Sequence, residues 1–189
     1  GMHEYNTLHP WRPEDGLPTE GILMLRHGPR GGGDLPSMGE PLTDDGIEAT
    51  KCVGRRWVNR MEPVVVSSPV ERCLHTSQLL VEAAGWDIEI LETKILGDPG
   101  PFVVDSILLS SHDEDILFSL KAHINGNQIP GMLDRDVGVK KMLSELLHLK
   151  GSSKVLVACT HDSILAAVAA SYGIQSAHWP PYLEGYLLW

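Results

Sequence analysis

Four short apolar runs punctuate the chain at 21–25 (GILML), 63–67 (PVVVS), 87–91 (DIEIL) and 154–159 (KVLVAC). Each has strand length and is rich in β-branched or long aliphatic side chains. A fifth run, 182–188, predicts a terminal strand. Helical spacing fills the intervals. Thr43 followed by Asp44 and Asp45 reads as an N-cap with an acidic first turn, opening a helix to about Asn59. Ile47, Trp57, Val58 and Met61 keep to one side of that helix. The segment 69–84 begins with Pro69, at home in a first turn, and stops at Gly85. Further helices are expected over 103–122, 135–149 and 163–172, the last ending at Gly173. Strands alternating with helices predict an α/β layered domain with a mostly parallel sheet. Residues 1–20, with Pro10, Pro13 and Pro18, read as an irregular lead-in. The stretch 93–134 reads as a small capping insertion within one domain spanning 1–189.

Composition narrows the partners. A chain of 189 residues can build a sufficient core without covalent staples. Its formal charge of −10 repels polyanions, so nucleic acid and acidic membrane surfaces are not expected partners. A small anion can still bind where a few arginines converge. Cys52, Cys73 and Cys159 are an odd set with no paired spacing, which predicts reduced, buried thiols and a cytoplasmic protein. No run approaches the roughly 18 apolar residues of a membrane span. The start, Met2-His3-Glu4-Tyr5-Asn6, lacks the basic and apolar regions of a signal peptide.

Three polar motifs directly follow three of the expected strands. Arg26-His27-Gly28-Pro29-Arg30 follows GILML, Ser68-Pro69-Val70-Glu71-Arg72 follows PVVVS, and Thr160-His161-Asp162 follows KVLVAC. In a parallel sheet the C-terminal strand ends share one edge, where ligands bind. Arg26, His27, Arg30, Arg72, His161 and Asp162 therefore converge on that edge. Their chemistry suits a phosphate monoester. Guanidinium groups bind its equatorial oxygens, a neutral imidazole can attack phosphorus, and a carboxylic acid can protonate the leaving oxygen.

These residues resemble the histidine phosphatase superfamily, which includes the phosphoglycerate mutases and the histidine acid phosphatases. The resemblance rests on Arg26-His27-Gly28, Leu42-Thr43-x-x-Gly46, Ser-Pro-x-x-Arg-x-x-x-Thr at 68–76 and the late His161, and covers roughly 21–172. It implies a three-layer, phosphoglycerate mutase-like α/β/α sandwich with His27 as nucleophile and Arg26, Arg72 and His161 around the phosphate. Arg30 and Asp162 are similar to the second arginine and the proton donor of the acid phosphatase branch. Gly32 departs from that branch's motif, where a proline follows. The chain is also far shorter than typical acid phosphatases.

The expected activity is hydrolysis of a small phosphorylated substrate through a phosphohistidine on His27, with Asp162 as general acid and base. Phosphate or sulfate should bind the same pocket. Glu92 is the alternative proton donor, because the mutase-like branch takes its acid from a loop after the third strand. A catalytically inert phosphate-binding or interaction module on the same fold is the alternative function. No cofactor is expected. A metal held by His27, His161 and Asp162 is disfavoured, because three neighbouring arginines repel a dication. Gly31-Gly32-Gly33 reads as a flexible pocket rim, and His112-Asp113 as a solvated helical face. Trp57, Trp86, Trp179 and Trp189 read as core or edge packing. The sequence leaves the natural substrate and the oligomeric state open.

Overall fold

The computed structural model describes residues 7–32, 39–111, 116–175 and 179–189. Six strands among them form one mixed sheet: β1 (Leu8–Trp11), β2 (Gly21–Arg26), β3 (Val64–Ser67), β4 (Ile90–Glu92), β5 (Val155–Thr160) and β6 (Gly185–Leu188). The order is β1-β6-β2-β5-β3-β4. β2, β5, β3 and β4 run parallel, and β6 and β1 add an antiparallel edge.

The central strands β2, β3 and β5 are apolar up to their last residue because both faces are covered. Ile22 and Met24 of β2 face one core with Leu156 and Ala158 of β5, under α5 (Arg135–Lys150) and α6 (Asp162–Ser171). Leu23 and Leu25 face the other with Val155, Val157 and Trp57, under α1 (Asp44–Arg55) and α2 (Glu71–Ala84). Helices on both faces of a mostly parallel sheet make the three-layer α/β/α arrangement expected for a phosphoglycerate mutase-like fold.

Local rules explain the helix ends. The Thr43 side chain accepts from Gly46 N–H at 3.0 Å, capping α1 as its sequence implies. Gly85 closes α2 in the left-handed region, at φ 73°. α1 and α2 cross closely at Gly54, where a Cβ would lie 2.7 Å from the Leu80 carbonyl oxygen.

Some elements differ from expectation. Residues 8–11 are a strand, not an irregular lead-in: β1 pairs with β6, whose paired residues lie 174 to 180 positions away and are not revealed by local sequence. The third expected strand shortens to Ile90–Glu92, at the sheet edge where only one neighbour holds it. Within and just beyond the span 103–122 expected as helix, the described residues form α3 (Ser106–Ser111) and α4 (Ile116–Ile124). The expected helix face 112–115, with His112-Asp113, lies outside the described residues, as does Gly33. Cys73 and Cys159 are buried as expected, but Cys52 is exposed on the outer side of α1.

Candidate active site

Strand register assembles the site. Arg26 is the Cα partner of Thr160, and Ser67 that of Cys159, so the three polar motifs leave the sheet side by side. Backbone bonds carry the alignment past the strand ends: His27 N–H donates to the Thr160 carbonyl at 3.1 Å and Ser68 N–H to the Cys159 carbonyl at 3.0 Å. Because side chains alternate across a strand, Arg26 continues the Ile22–Met24 face towards α6, and His27 continues the Leu23–Leu25 face towards α2.

Arg72, in the first turn of α2, is the hub. Its Nε donates to His27 Nε2 at 3.0 Å, and its Nη2 lies 3.2 Å from His161 Nδ1. A guanidinium can only donate, so both ring nitrogens accept. The proton of His27 therefore sits on Nδ1, which donates to the Gly28 carbonyl at 2.8 Å. His161 carries its proton on Nε2, which donates to Ser68 Oγ at 3.1 Å. Ser68 Oγ in turn accepts from Val70 N–H at 3.3 Å. The two rings stand 5.6 Å apart, edge to face.

Burial and charge hold His27 neutral. Its ring is 2% exposed. Desolvation pushes its pKa down from 6.5 to about 2; the Gly28 carbonyl opposes this, while Arg72, His161 and Arg26 add to it. Arg72 is itself held below the ordinary arginine value, first by burial and then by Arg30 and Arg26, against Cys73 and Asp162. The three guanidinium groups thus share one small volume. Burial raises the Cys73 thiol, yet hydrogen bonds with Cys159 and His161 and the charge of Arg72 outweigh it and bring its pKa down to about 5.

Arg26 joins this cluster to the start of α6. Its Nη2 pairs with Asp162 Oδ2 at 2.8 Å, its Nη1 donates to the Pro180 carbonyl at 2.9 Å, and its guanidinium carbon lies 3.9 Å from the Tyr182 ring centre. The Tyr182 ring also stands 5.7 Å from that of His27. Asp162 Oδ1 accepts from Ser163 N–H. Arg30 is half-buried, with Nη1 donating to the Gly31 carbonyl at 2.9 Å. Glu92 ends the edge strand, exposed, and among the described residues its side chain makes no hydrogen bond or ion pair.

Supporting residues lie both inside the motifs, as Gly28 and Thr76 do, and outside them. Thr76 Oγ1 accepts from Gly28 N–H at 2.9 Å and donates to the Arg72 carbonyl at 2.7 Å, tying the His27 loop to α2. Gly28 is required by closeness to α1, since a Cβ there would lie 2.5 Å from Thr50 Oγ1. Gly97, at φ 149°, packs against His161; a Cβ there would lie 2.5 Å from Nε2. Thr160 Oγ1 fastens the same loop by donating to the Leu96 carbonyl at 2.6 Å. Tyr182 and Pro180 come from the segment before β6, and nothing in their local sequence marks them.

Among the described residues no group of three His, Cys, Asp or Glu side chains is arranged to hold a metal ion. No helix among them is long and apolar enough to cross a membrane.

The sheet edge thus gathers two histidines and three arginines, a set of donors suited to a compact anion. The family model for the histidine phosphatase superfamily (branch 1) matches residues 22–95, a span containing Arg26, His27, Arg72 and Glu92. Over that span the chain is similar to the histidine phosphatase superfamily. Among solved structures, mycobacterial glucosyl-3-phosphoglycerate phosphatase is 16% identical with a TM-score of 0.55, over 80% of this chain and 78% of that one. A phosphoserine phosphatase mutant from Entamoeba histolytica, in complex with phosphoserine, is 17% identical with a TM-score of 0.56, over 83% and 85%. The mycobacterial enzyme is also known with VO3, at 18% identity, TM-score 0.55 and 80% and 81% coverage. No curated protein matches the sequence.

Proposed function

We propose that the protein is a phosphatase that hydrolyses a small phosphate monoester through a phosphohistidine on His27. The observation that carries this reading is the state of His27 Nε2. It is a lone pair on a neutral ring, fixed by the Nδ1–H bond to Gly28 and surrounded by Arg26 and Arg72. An imidazole so held is ready to attack phosphorus without first losing a proton.

The substrate phosphate takes the guanidinium donors of Arg26, Arg30 and Arg72 as its ligands, with His161 at its side. Their preorganised charge stabilises the spreading charge of the transferring group. Nε2 forms the N–P bond as the P–O bond to the alcohol breaks, and the electron pair of that bond leaves with the oxygen. Asp162 gives its proton to that oxygen. In the second step water attacks phosphorus, Asp162 takes its proton, and the N–P bond breaks to release phosphate and restore His27. The pairing of Asp162 with Arg26 supports this role by position, since it holds the carboxyl beside a guanidinium that takes the phosphate. Glu92 is the rival donor, and segment 93–134 the cap that shapes the pocket within a single domain. The chemistry uses no metal or cofactor.

The test is rapid chemical quench of the wild type with a radiolabelled aryl phosphate. Acid-labile, base-stable label should appear on the protein and vanish in His27→Ala together with turnover. Phosphate binding without label or turnover would instead identify an inert phosphate-binding module.

A further inference from the structure

A groove of about 690 Å³ runs between α4, α6 and the start of β6. Ala166 and Ala170 of α6, Tyr186 of β6, Trp179 and Pro180, Lys121 of α4 and Asn125 just after it line the groove. Three observations tie it to the catalytic edge. First, Pro180 lines the groove while its carbonyl accepts from Arg26, which also pairs with Asp162. Second, Asp162 and Ala166 are one turn apart on the same side of α6, a rise of about 6 Å. Third, Tyr186 lines the groove and is the Cα partner of Met24, two residues before Arg26 on β2.

The volume is far more than a phosphate needs and falls within the roughly 300–1,000 Å³ of sites that enclose organic ligands. The chemistry of the lining defines the occupant. Small alanine side chains leave room, and Trp179 offers an aromatic face. Lys121 supplies a cation.

We infer that this groove holds the alcohol portion of the substrate, an aromatic or alicyclic body carrying an anionic group that reaches Lys121. The inference rests on the phosphatase reading and specifies its substrate class. With the ester oxygen beside Asp162, the carbon skeleton follows α6 past Ala166, and its distal acid meets Lys121.

The experiment compares kcat/KM for phenyl phosphate, biphenyl-4-yl phosphate and 4′-carboxybiphenyl-4-yl phosphate, whose leaving groups are all phenols. The second ring should raise kcat/KM by about tenfold or more, and the carboxylate should raise it again. Ala166→Leu should remove most of the gain from the second ring. Lys121→Ala, at an exposed position where folding is not at risk, should remove only the gain from the carboxylate. Equal kcat/KM for the three esters, or gains that survive both substitutions, would overturn the groove assignment while leaving the phosphatase reading intact. Failure to hydrolyse phenyl phosphate as well as its longer relatives would overturn the phosphatase reading and the groove assignment with it.

Discussion

Arg72 Nε donates to His27 Nε2 at 3.0 Å, and this one bond sets the tautomer of the His27 ring. The same guanidinium reaches His161 through Nη2, so a single side chain orients both histidines. Arg72→Ala should therefore lower kcat/KM by more than the loss of one charged hydrogen bond, which alone costs about 1.5–3 kcal/mol, or tenfold and upward. Arg72→Lys should restore little, because a point-like ammonium cannot donate to two rings in the geometry of the planar fork. Steady-state kinetics on one aryl phosphate decides it, and full rescue by lysine would show that charge alone matters.

The pKa of His27 links stability to pH. Its folded value, about 2, lies below the ordinary 6.5, so between these values the unfolded chain binds a proton that the folded protein refuses. The stability contributed is complete above pH 6.5 and falls as pH drops towards 2. From pH 6.5 to 4.5 the loss is about 2 pH units, or roughly 2.7 kcal/mol. Urea unfolding should show that slope in the wild type and a flatter one in His27→Asn. A parallel dependence in the two proteins would mean that His27 does not titrate in this range.

Gly97 sits where no side chain fits. Gly97→Ala forces a Cβ to within 2.5 Å of His161 Nε2 and 2.6 Å of Ser68 Oγ, on a backbone at φ 149° that side chains rarely adopt. Turnover should drop sharply as His161 is displaced, while Gly151→Ala, in open space at φ 53°, should lower only the melting temperature. Comparing kcat with Tm for the two variants separates displacement of the histidine from backbone strain.

The donor assignment predicts a dependence on the leaving group. Asp162→Asn should slow alkyl phosphates far more than an activated aryl phosphate, whose oxygen needs little protonation. Glu92→Gln should slow neither class selectively. The opposite pattern would move the acid to Glu92.

Three arginines around one anion site predict inhibition by product analogues. Phosphate, vanadate and sulfate should compete with substrate, and each should weaken in Arg26→Ala. Chelators should leave activity unchanged. Competition that survives Arg26→Ala undiminished would put the anion elsewhere.

Much of this molecule is legible in the sequence because its information is local. Uninterrupted apolar runs such as 154–159 mark strands buried on both faces, and Thr43 and Gly85 mark helix ends through backbone bonding and φ alone. The convergence of His27, Arg72 and His161 is legible too, since parallel strands share an edge. Tertiary structure alone decided what depends on distant pairing. β1 exists because β6 offers it an antiparallel edge, and residues 8–11 carry no strand signal strong enough to say so. The tautomers of His27 and His161 follow from the placement of one guanidinium within 3.2 Å of both rings. Tyr182 and Pro180 reach Arg26 only because β6 lies beside β2. Whether a cysteine is buried was likewise settled by the fold: Cys73 and Cys159 face the site, while Cys52, on a helix of similar pattern, faces solvent. Motif and periodicity specify which groups arrive at the sheet edge; their protonation, pairing and partners come from contacts between segments far apart in the chain.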